Sequence, residues 1–86
     1  MRYLGKSFGV SVRKQRLKLG LSQEKLAFRC GSHRNYIGEI ERGEKSPSLH
    51  IIFALAEALE MQASDLVRMA EEREMLSRID STSNAN

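Results

Sequence analysis

Residues 22–43 read SQEKLAFRCGSHRNYIGEIERG, and the spacing of their small and apolar positions decides the fold. Leu26, Ala27 and Cys30 fall at i, i+1 and i+4, on one face of a helix. Ile37 and Ile40 share one face of a second helix. Gly31 stands between them, where a sharp turn needs a residue free to take positive φ. Ala27 falls where two crossing helices leave no room for a larger side chain. Two short helices joined by a tight glycine turn make a helix-turn-helix, whose second helix enters the DNA major groove.

Outside this motif the chain reads as three more helices and a tail, all-α throughout. Helix 1 is expected from about Ser7, as N-cap, to Leu19, with Phe8, Val12 and Leu19 near one face and Gly20 ending it. Ser22 caps helix 2, and Glu24 suits the positive end of its dipole. Helix 3 runs from His33 or Arg34 to Glu41, and Gly43 stops it. Residues 44–47 form a loop, since Pro47 lacks a donor and fixes φ; Ser46 or Ser48 caps helix 4. In helix 4, Leu49, Ile52, Phe53, Ala56 and Leu59 form a stripe expected to face the core. Helix 5 begins near Ser64 and carries on to about Ile79. These elements make one domain over residues 1–79, and residues 80–86, with no apolar side chain larger than alanine, are expected to be a disordered tail.

The net charge of +3 is unevenly spread. Residues 1–45 hold eleven Lys/Arg against four Asp/Glu, whereas residues 46–86 hold three against seven. A basic half that carries the helix-turn-helix is the footprint of a phosphate-binding surface. No apolar run approaches the roughly 20 residues of a membrane span. The single cysteine, Cys30, has no partner for an internal disulfide, which fits a reducing cytoplasm, and it falls on the face expected to be buried.

The segment 22–43 resembles the Cro/phage-repressor (XRE) family, with SQEKLA opening the first helix of the motif and RNYIGEIERG holding the second and its exit. The resemblance covers about residues 5–68 and includes Gly9, Val12, Arg13 and Arg16, the run Gly20-Leu21-Ser22-Gln23, and PSLHIIFALAEALEM at 47–61. It implies a five-helix lambda-repressor-like domain in which the first residues of helix 3 point at base edges. Here those are Arg34, Asn35 and Tyr36, with Glu39 one turn on. Arginine can donate to guanine O6 and N7, asparagine can pair with adenine, and glutamate can accept from cytosine N4. Tyr36 offers a ring to a thymine methyl or a hydroxyl to a phosphate. The resemblance also implies a structural ion pair, Arg16 with Glu41, bridging helix 1 to the end of helix 3. Ser32 and His33 depart from the usual pattern, and Ser32 in place of His33 as cap would shift the base-contact register by one residue. The combination HRNYIGEIERGEK is similar to the controller proteins of restriction–modification systems.

Phosphate contacts are expected at the N-terminus of helix 2, with Gln23 adding a side-chain bond, and at Arg42 and Lys45 beside the exit of helix 3. Lys6, Arg13 and Arg29 are weaker candidates. A domain this small reads few base pairs, so a two-fold homodimer on two half-sites is expected. Ile51, Leu55 and Ala58, off the core stripe of helix 4, together with Val67, are expected to form its interface.

The function these features imply is a cytoplasmic, sequence-specific regulator of transcription that occludes a promoter or offers a surface to RNA polymerase. Double-stranded DNA and a second copy of the chain are the expected partners. An antitoxin-type interaction module with secondary DNA binding is the alternative, though a polar tail of about seven residues is short for wrapping a toxin. Two histidines, His33 and His50, and no nucleophile constellation argue against an enzyme, and no metal or cofactor is expected.

Overall fold

A computed structural model of the chain describes residues 4–84, with side chains described as far as Ile79. Among the described residues five helices follow in order: α1 (Gly5–Lys18), α2 (Gln23–Cys30), α3 (Arg34–Glu41), α4 (Leu49–Ala58) and α5 (Ala63–Asn84). Their inward faces close one core in which Val12, Leu26, Ile37, Ile40, Leu55, Leu59 and Leu66 are almost wholly removed from water. Each such side chain contributes about 1.5–3 kcal/mol of transfer free energy. α1 packs on α5 and α3, α2 bridges α3 and α4, and α4 leans on α5. No helix among the described residues is long and apolar enough to cross a membrane.

The helix ends explain the tightness of the turns. After α1, α2 and α3 come Gly20, Gly31 and Gly43, and after α4 comes Glu60, all at positive φ. At each, the next N–H reaches back five residues, as Ser32 to Ala27 and Glu44 to Glu39. This is the Schellman closure, which satisfies carbonyls left open at a helix end. Ser22 and Ser48 accept from the backbone N–H of Lys25 and Ile51, starting α2 and α4.

Three expectations differ from the structure. α1 begins at Gly5, not Ser7, and Leu4 precedes it without a side-chain cap. The Ser7 hydroxyl is buried and donates to Glu74 at 3.2 Å, so it joins α1 to α5 instead of capping. α5 begins at Ala63 and continues past Ile79 to Asn84, through five of the residues read as tail. Extending an existing helix fixes one residue per hydrogen bond gained and needs no apolar anchor.

The third difference concerns α4, whose LHIIFALAEA is apolar nearly all round. Leu49 and Phe53, read as core, are 70% and 60% exposed, whereas Leu55 is 0% exposed and Ala58 is buried. Ile52, Leu55, Ala56 and Leu59 also stand at i, i+3, i+4 and i+7, so periodicity allows two stripes, and contact with α2 and α5 selects this one. Leu55 and Ala58 therefore lie in the core of the chain, not on the exposed strip expected of them. Ile51 is half-buried against the same core, and Val67 is exposed.

Candidate nucleic-acid interface

The geometry of the motif starts with the turn. α2 closes at Gly31, and the chain enters α3 through His33, which has extended φ and ψ and no side-chain capping bond. His33, not Ser32, therefore precedes the first helical residue, Arg34. Arg34 and Asn35 stand exposed on the first turn of α3. Tyr36 is half-buried and packs against the core, which leaves it less reach than the two residues before it. One face of α3 is spent on Ile37 and Ile40, both fully buried.

Gln23, Arg34, Asn35, Gly38, Glu39 and Arg42 line one shallow groove of about 300 Å³ on the opposite face. Six of its walls are thus five side chains expected to meet DNA and one glycine that was not singled out. Arg34, Gly38 and Arg42 follow one another at i, i+4 and i+8, so they form a row along α3. Lys45 is exposed beyond the helix and outside this groove.

The groove is held in place from beneath. Arg16 donates from Nε to Glu41 Oε2 at 2.7 Å and from Nη2 to Oε1 at 3.1 Å. Its Nη1 donates to the Leu21 carbonyl at 2.7 Å. The pair is almost wholly buried and fastens the end of α3 to α1 and to the start of α2. Gln23 Nε2 donates to Glu41 Oε1 at 3.0 Å. Gln23 therefore lies in the groove with one of its two amide N–H groups committed to the protein, a bond its expected role as a phosphate donor did not include.

Arg42 also differs from a free basic arm. Its Nε and Nη2 donate to the two carboxylate oxygens of Glu44, at 2.7 and 3.2 Å. Hydrogen bonding by Arg42 holds the Glu44 carboxyl below its ordinary pKa, and the same bond raises that of Arg42. Arg29 donates to the Ala58 carbonyl and to Glu60, so it closes α4 against α2. Lys6 and Arg13 are exposed. Cys30 is half-buried, and loss of solvent pushes its thiol pKa up, against reactivity at neutral pH.

The Helix-turn-helix family matches residues 12–66. Control protein C.BamHI of Bacillus amyloliquefaciens is 51% identical over 61 residues, which is 70% of this chain and 75% of that one. The crystal structure of the restriction-modification controller protein C.AhdI from Aeromonas hydrophila is similar with a TM-score of 0.70 and 44% identity, covering 71% of this chain and 92% of that one. The C.Esp1396I controller, solved as a tetramer in complex with its natural 35 base-pair operator, is similar with a TM-score of 0.75 and 25% identity, covering 85% and 96%. Five helices, a glycine-turned α2–α3 pair and these similarities agree: the chain belongs to the helix-turn-helix (XRE-type) family of DNA-binding transcription regulators.

Proposed function

We propose that this chain is a controller-type regulator that binds an operator as a two-fold homodimer, with α3 in the major groove. The observation that carries the reading is the gathering of Arg34, Asn35, Gly38 and Arg42 in one groove, braced from behind by the buried Arg16–Glu41 pair. Arg34 and Asn35 read base edges, Glu39 accepts from a cytosine, and Tyr36 reaches a phosphate or a thymine methyl. The open N–H groups at the start of α2 and the ammonium of Lys45 take phosphates on either side.

The dimer forms through exposed apolar side chains of α4 and α5, namely Leu49, Phe53 and Val67, with the half-buried Ile51 at their edge. Relatives named as control proteins of restriction–modification systems support operators beside a restriction gene as the target. The chain acts in the cytoplasm, where it occludes a promoter or presents the exposed Glu71 and Glu72 of α5 to RNA polymerase. The test is binding to the DNA upstream of its own coding region against a random duplex of equal length at one salt concentration. A preference of about a thousandfold or more is expected of a specific regulator. Equal binding contradicts the reading.

A further inference from the structure

Glu44 carries a charge that opposes DNA and yet lies beside the recognition helix in direct contact with a groove arginine. Its backbone is fixed, while its side chain and that of Arg42 are more than half exposed. The Schellman closure after α3 ties the Glu44 N–H to the Glu39 carbonyl at 2.8 Å, and Gly43 makes the turn at φ 75°. A Cβ on Gly43 would meet the Lys6 Cα at 2.8 Å, so the turn is also clamped against α1. The carboxylate is thereby set beside Arg42 and engages its Nε–Nη2 edge. That edge is the one an arginine offers side-on to a phosphate.

The remaining nitrogen has a defined place. Arg42 Nη1 lies 3.0 Å from the point a Cβ on Gly38 would occupy, and Gln23 Oε1 lies 3.8 Å from it. The guanidinium therefore folds back over the middle of α3, so close that a Cβ at position 38 would press against Nη1. We propose that Glu44 is a positioning residue for DNA reading: its carboxylate withholds Arg42 from phosphates and, with the gap at Gly38, aims Nη1 at a guanine edge in the groove. Arg42 is then a base reader beside Arg34, not a backbone clamp. The carboxylate near the DNA also disfavours every sequence that supplies no acceptor for Nη1. The charged neighbours of this pair are Glu39, on the Arg42 side, and Lys45, on the Glu44 side.

This inference rests on the operator-binding reading, and one experiment separates the two. The full chain, Glu44→Ala, Gly38→Ala and the double variant are titrated with a selected operator and with random duplex across a salt series. Glu44→Ala is expected to tighten random binding and to steepen its salt slope by about one, because Arg42 is released to a phosphate. The operator-to-random ratio is expected to fall about tenfold, the size of one good base contact. Gly38→Ala is expected to lower the same ratio by displacing Nη1 while raising the melting temperature, since alanine favours a helix interior over glycine. The double variant is expected to lose no more than the larger single loss, because both changes act through one guanidinium. An unchanged ratio in Glu44→Ala, or strictly additive losses, overturns the role of Glu44. A native protein with no preference for any site overturns the operator reading itself.

Discussion

The Arg16 guanidinium grips the Glu41 carboxylate through two bonds, 2.7 and 3.1 Å long, where almost no water reaches either group. Glu41 also receives Gln23, and Arg16 also holds the Leu21 carbonyl, so four segments meet at one ion pair. Leaving one buried charge without its partner costs about 3–5 kcal/mol. Glu41→Gln is therefore expected to lower the melting temperature strongly before it alters sequence preference. Thermal unfolding of the variant checks this, and an unchanged curve removes the pair from the account.

Gly9 serves the same junction from the other side. A Cβ at Gly9 would sit 2.2 Å from the Ile40 carbonyl oxygen and 2.7 Å from that of Glu41. Both are backbone atoms, so α1 and α3 must separate. Gly9→Ala is expected to destabilise the domain by about 3 kcal/mol, at the upper end of overpacking costs, although alanine is the better helix former. Urea denaturation gives the value, and a stabilised variant would contradict the close packing.

Two substitutions in α4 distinguish core from interface. Leu55→Glu buries a charge with no partner and is expected to abolish folding. Phe53→Glu changes an exposed position and is expected to give a folded monomer with weakened operator binding. Circular dichroism and sedimentation on both variants decide the matter. A folded monomeric Leu55→Glu, or a dimeric Phe53→Glu, would reverse the assignment.

The motif was legible because its signals are local. Gly31, Gly43, Ser22 and the spacing of Leu26, Ala27, Ile37 and Ile40 each act within a turn or two of their own position. The face of α4 was not, because an almost wholly apolar helix offers two stripes and only its neighbours choose between them. Ser7 misled for the reverse reason: a good capping residue was taken by a contact 67 residues away. Arg34 and Asn35 stand on the exposed first turn of α3, the position that the spacing around Ile37 and Ile40 implies. The link from Glu44 and Gly38 to Arg42 was not legible, because a sequence does not show which way a long side chain folds.

Base and backbone contacts are separable by substitution. Arg34→Ala is expected to cost about 1–3 kcal/mol on the operator and to relax preference at one base pair. Lys45→Ala is expected to weaken all DNA alike and to lower the salt slope by about one. Binding isotherms on matched and mismatched duplexes measure both. Equal losses on operator and random DNA for Arg34→Ala would place the reading register elsewhere.

The most direct test of an operator-binding dimer is selection of sites from a random DNA pool by the purified full chain, followed by salt titration of the winning duplex. The account predicts a palindromic site whose half-sites lie about ten base pairs apart, one turn of the double helix. Recovery of salt-sensitive binding with no enriched sequence would contradict it.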